Sequence, residues 1–165
     1  MLSFNELIGF MSADLADEII TTTFESDKDL YRGTLAAVAE TRKVRVIFLQ
    51  RKPRPERNKV ILSSLGKPAL AAAAGNLIRG WLITQHTDML GDFLDALGIE
   101  HKDGMVEELP EQMDSEKLKK GVDVILSKYR HDIVAVYLHT FNSMNDTRWD
   151  SLDELLDSDE RLQFA

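Results

Sequence analysis

The chain has 165 residues, with 20 Lys and Arg against 28 Asp and Glu, for a formal charge of −8. It contains no cysteine, which excludes disulfides, thiolate metal ligands and cysteine nucleophiles together, and which suits a reducing cytoplasm. With 44% apolar and 29% charged residues it reads as a globular chain, long enough to bury about 70% of its unfolded surface and fold as one helical domain over residues 1–165. The first eleven residues include Glu6 and lack a basic region before an apolar stretch, so they do not read as a signal peptide. No apolar run approaches the ~20 residues that span a bilayer, so no membrane role and a cytoplasmic location are expected.

Apolar residues recur at three-and-four spacing almost throughout, and alternation is nearly absent. That pattern predicts an all-α fold, an irregular bundle of seven or eight helices with one tiny hairpin near residues 100–107. Ser3 and Glu6 have capping-box spacing before a short turn carrying Leu7, Ile8 and Met11. Ser12 caps a helix striped by Leu15, Ala16, Ile19 and Ile20 and running to about Phe24. A third helix starts near Asp27 with Leu30, Tyr31, Leu35 and Val38. Val44 to Leu49 is β-branched and aromatic, and local propensity alone would make it a strand. A lone strand has nothing to pair with, so the helix is expected to continue toward Gln50, with Val44, Ile47 and Phe48 facing the core.

Pro53 and Pro55 break the helical pattern, because each lacks a donor and pushes its predecessor toward extended backbone. A short helix from about Glu56 to Leu65 follows, stopped by Gly66 and Pro68. From Pro68 to His86 comes the least polar helix, expected at the centre of the bundle, with Leu70, Ala74, Leu77, Ile78 and Trp81 on one face. Gly75 and Gly80 lie within it as close-packing positions. Thr87 is expected to cap the next helix, with Met89, Leu90, Phe93, Leu94 and Leu97 inward and Gly98 at its end. Ile99 to Gln112 is a loop around the Asp103-Gly104 turn. Asp114 or Ser115, then Asp132, then Ser151 with Glu154 are the expected starts of the last three helices.

Charge is sharply segregated. Arg42, Lys43, Arg45, Arg51, Lys52, Arg54, Arg57 and Lys59 stand against Glu56 alone, so this segment carries +7 and the rest of the chain −15. The stretch from Asp146 to Glu160 holds seven acidic residues and one arginine, its electrostatic complement. A basic surface of this kind meets an anionic one, whether a separate partner or an acidic face of the same molecule.

Catalytic signatures are missing. Asp88, Asp92 and Asp95 share a helical face flanked by His86 and His101, but the spacing matches neither a His-Glu-x-x-His pair, a bundle di-iron set nor a calcium loop. His139 sits on a helix apolar around much of its girth and reads as a buried, hydrogen-bonded histidine. No Gly-x-Ser-x-Gly elbow is present, and Ser63-Ser64 has no local histidine or acid to activate it. The loop from Ile99 to Gln112 is long for a compact helical domain, which marks it as a functional surface.

The leading expectation is therefore a non-enzymatic helical protein that works through protein contacts, with a protein partner or a second copy of itself and no cofactor. The second reading is a nucleic-acid-binding accessory protein using residues 42–59. It is not favoured, because no recognition motif accompanies the charge and the net field repels a polyanion. The third is a metal-dependent enzyme built on the acidic and histidine face around residues 88–101.

Overall fold

A computed structural model describes residues 2–144 and 148–164. All regular elements among them are helical, ten α-helices and two 3-10 turns, with no strand. The expected hairpin reduces to one bridge between Lys102 and Met105 across the left-handed pair Asp103 (φ 52°) and Gly104 (φ 81°). Contacts cluster into two compact units, Leu2–Trp81 and the chain from Leu82 onward.

The first unit opens with α1 (Phe4–Phe10), α2 (Ala13–Ser26) and α3 (Lys28–Arg42). Each start is capped where the sequence places a cap. Glu6 accepts from the Ser3 N–H at 2.8 Å, and this bond holds its carboxyl below the usual range. The Ser12 hydroxyl accepts from Leu15 N–H and the Asp27 carboxylate from Leu30 N–H, both at 3.1 Å. Then come α4 (Val46–Gln50), α5 (Arg54–Leu65), a 3-10 turn (Pro68–Leu70) and α6 (Ala71–Gln85), whose last four residues fall in the second unit.

The core of this unit holds the predicted stripe residues Leu15, Ile19, Ile20, Leu35, Val38, Leu77 and Ile78, joined by Ile61 and Leu65 of α5, and all are essentially inaccessible. Each contributes about 1.5–3 kcal/mol by leaving water. Gly75 and Gly80 are close-packing positions. A Cβ at Gly75 would stand 2.7 Å from the Phe4 ring, and one at Gly80 2.4 Å from Leu30 Cδ2.

The expected single helix from Asp27 to Gln50 is two helices. Lys43 turns left-handed at φ 56°, and the backbone then closes a Schellman motif. In it Lys43 N–H reaches Glu40 C=O at 3.1 Å, and Val44 N–H reaches Ala39 C=O at 3.0 Å. Val44 to Leu49 is thus neither a strand nor a continuation of α3. Within α4 only Leu49 is buried. The separate fourth helix, with the helix α1 in place of the short turn expected at the start of the chain, raises the helix count above the expected seven or eight.

The second unit contains α7 (Thr87–Ala96), α8 (Ser115–Lys128), α9 (His131–Met144), α10 (Asp150–Ser158) and a 3-10 turn (Glu160–Leu162). Every residue of α9 from Ile133 to Asn142 is buried. Its Tyr137 and Phe141 meet Phe93 of α7 edge-to-face, with centroids 5.6 and 5.5 Å apart, and Phe141 packs on Trp149 at 5.1 Å. Trp149 is fully buried, and its indole N–H donates to Pro110 C=O at 2.9 Å, which ties the long loop to the core.

Asp114 caps α8 as expected, accepting from Lys117 N–H at 3.0 Å. Three other starts differ. His86 occupies the cap position of α7, and Thr87 lies inside the helix with its hydroxyl donating to Ile83 C=O at 2.7 Å. Asp132 lies in the first turn of α9 and pairs with Arg130. Trp149 precedes α10, and Ser151 donates to Met113 C=O at 2.8 Å. Thr87 and Ser151 each donate to a carbonyl, whereas Asp132, inside the first turn, divides its carboxylate between Arg130 and its neighbour Ile133 N–H at 2.8 Å.

Candidate functional site

Seven of the eight basic residues singled out from the sequence are exposed, and the eighth, Arg57, is half-buried. None forms an ion pair with a described acidic residue. The fold sorts them into three sets. Arg42 turns onto α5, where its Nη1 donates to the buried Ser64 hydroxyl at 3.0 Å. Ser64 and Ser63 also donate to Val60 C=O, so both hydroxyls are bound to the helix backbone.

Lys43, Arg45, Arg51 and Lys52 bracket α4, with Lys59 further along α5. Among them lie Val44, Ile47 and Phe48, expected to face the core. They are instead 40%, 46% and 57% exposed. The reason is the break at Lys43: a five-residue helix entering from a left-handed cap buries only Leu49, with Val46 half-buried, which leaves Ile47 and Phe48 in water together with Val44 just before it. Large apolar residues exposed together within five positions and flanked in sequence by cations mark this corner as a candidate interaction surface.

Arg54 and Arg57 belong to a third set that linear spacing does not reveal. Their guanidinium carbons stand 4.8 and 5.7 Å from the centre of the Phe24 ring, and Lys28 Nζ stands 5.5 Å from it. Arg57 is held in place. Its Nε–H donates to the Tyr31 hydroxyl at 2.9 Å, and that hydroxyl donates to the buried Asn58 Oδ1 at 2.9 Å. Its Nη1 reaches Gln50 C=O at 3.3 Å, connecting it to the end of α4. Phe24, Lys28, Tyr31 and Asn58 carried no sequence signal beyond an ordinary helix pattern, because the ring and the three cations come from α2, α3 and α5.

The acidic and histidine face of the second unit is closed by its own hydrogen bonds. His101 Nε2 lies 2.7 Å from Asp95 Oδ1, and its Nδ1 accepts from Gly104 N–H at 3.1 Å, so both ring nitrogens are occupied. Asp92 accepts from the Tyr129 hydroxyl at 2.5 Å and lies 3.5 Å from Lys128 Nζ. Burial, followed by the Asp92 bond, pushes the Tyr129 phenol up to about 12. Among the described residues no group of three His, Asp or Glu side chains is placed to hold a metal.

The Ile99–Gln112 loop bounds an open cleft of about 600 Å³ lined by Glu100, His101, Lys102, Met105, Glu107, Glu108, Leu109 and Pro110. Its polar groups are mostly glutamates, with no nucleophile aligned to a base. His139 is buried, stacked on Phe164 at 6.1 Å, and burial lowers its imidazole to about 4. No single described helix is long and apolar enough to cross a membrane. No protein-family model, curated protein sequence or solved structure matches this chain.

Proposed function

We propose that this is a helical interaction protein whose docking surface is the corner around α4: apolar at Val44, Ile47 and Phe48, basic at Lys43, Arg45, Arg51 and Lys52. The observation that carries the reading is the exposure of three large apolar side chains flanked in sequence by cations without ion partners. An interface centre is apolar and aromatic and its rim is charged, and this corner has both parts at the scale of a small hot spot. Its partner is a protein surface with an apolar pocket and a carboxylate rim. The charge steers the encounter, and burial of Phe48 and Ile47 supplies the affinity. A cysteine-free chain suits a partner met in the reducing cytoplasm.

The test is a photoreactive benzoylphenylalanine at position 48 in living cells, with the same probe at exposed Ser63 of α5 as control. Discrete protein adducts at position 48, absent at position 63 and diminished by Ile47→Asp or Arg51→Glu, are the expected result. Adducts to nucleic acid alone would put the nucleic-acid reading in its place, with Phe48 as a stacking platform. Equal yields at the two positions would remove the corner as a docking surface.

A further inference from the structure

The Phe24 cluster poses a separate question. Lys28, Arg54 and Arg57 place three positive charges within 5.7 Å of one ring centre, and none has an ion partner among the described residues. Of the acidic neighbours in sequence, Asp27 caps α3 through Leu30 N–H, Asp29 lies 3.7 Å from Arg32, and neither Glu25 nor Glu56 forms an ion pair with any of the three cations.

Lys28 and Arg54 are also the first residues of α3 and α5, where the helix dipole opposes a cation and favours an anion. The ring quadrupole offsets part of this crowding. Arg57 is fixed by neutral partners only: a relay through the Tyr31 hydroxyl to buried Asn58, and the Gln50 carbonyl. A guanidinium oriented in advance, without a carboxylate, keeps donors available for an external oxyanion.

We infer that Lys28, Arg54 and Arg57 around Phe24 form a receptor for a dianionic phosphate monoester. Three cations match a dianion better than the single charge of a phosphodiester, and Arg57 supplies the pre-set donors while Lys28 and Arg54 close from the exposed side. This site goes beyond the docking corner and does not depend on it: the monoester could be carried by a protein partner or by a small molecule, and the chemistry recognised is the same.

The experiment titrates the full-length chain with inorganic phosphate against sodium chloride at matched ionic strength, following the Arg57 Nε–H resonance and the melting temperature. The expected result is a saturable shift at Arg57 and a rise in Tm of a few degrees with phosphate alone. The double variant Lys28→Gln, Arg54→Gln leaves the Arg57 relay intact. It is expected to bind phosphate about tenfold more weakly and, without phosphate, to melt no lower than the parent. Phosphate effects no larger than those of chloride, or unchanged affinity in the double variant, would overturn the assignment.

Phenyl phosphate and a phosphoserine peptide separate the two sources, and the tighter binder identifies which one the site is built for. A dinucleotide phosphodiester is expected to bind more weakly than either, and equal binding would reject the monoester assignment. Because no arm uses Phe48 or a protein partner, failure here leaves the docking-corner reading standing, and failure there leaves this one.

Discussion

At the residue scale, His139 is the clearest case of burial setting chemistry. Its imidazole is held near 4 in the folded chain by burial, against an ordinary value of 6.5, so the folded state keeps it neutral. As pH falls the unfolded chain takes up this proton first. The stability that His139 contributes is therefore full above about pH 6.5, and as much as about 3 kcal/mol is lost by pH 4. Chemical denaturation of His139→Gln is expected to give a flatter stability profile than the parent across that window, and parallel profiles would mean that His139 is hydrated. Two glycines make the matching argument about space. A methyl at Gly75 meets the Phe4 ring at 2.7 Å, whereas one at Gly33 of α3 meets nothing within 4 Å. Gly33→Ala is expected to stabilise by about 0.5–1 kcal/mol through helix propensity. Gly75→Ala is expected to destabilise by about 1–2 kcal/mol, because the rigid ring must move.

At the element scale, α4 exists because Lys43 stops α3. A side chain at φ 56° costs about 1–2 kcal/mol that glycine does not pay. Lys43→Gly is thus expected to raise stability by about 0.5–1 kcal/mol with the corner unchanged, whereas a drop would mean that the lysine side chain contributes to the cap. The helix is then fastened by Leu49, its one buried residue. Leu49→Ala is expected to cost about 2–4 kcal/mol and to speed amide exchange in residues 46–52 ahead of the α3 core. Uniform acceleration along the chain would show that α4 is not a separate local unit. The sequence placed the caps of α1, α2, α3 and α8 correctly because each cap is a contact within three residues. It misplaced the starts of α7, α9 and α10, where Thr87 and Ser151 donate to carbonyls and Asp132 lies within the first turn, shared between Arg130 and Ile133 N–H.

At the scale of the whole molecule, contacts gather into two units, Leu2–Trp81 and the chain from Leu82 onward, each with its own buried set. Ile61→Val and Phe93→Leu trim the two cores separately, at about 1 kcal/mol each. Amide exchange is expected to rise first within the substituted unit in each case, and identical exchange patterns would instead mean that the chain opens as one. The all-α class, the core stripes, the close-packed glycines and the basic segment were all legible in the sequence, because periodicity, propensity and charge count are properties of neighbours along the chain. The exposure of Val44, Ile47 and Phe48 was not legible, since which side of a short helix faces water depends on where α3 ends and what Leu49 reaches. The gathering of Lys28, Arg54 and Arg57 on Phe24 was hidden for the same reason: cation–ring and relay contacts join residues from three helices, and only packing brings them within reach. The sequence by itself determined that this chain is helical and gathers eight of its 20 Lys and Arg in one segment. The tertiary structure decided which of those charges stand in water beside apolar side chains and which converge on a ring, because burial and electrostatic proximity are set by distances in space.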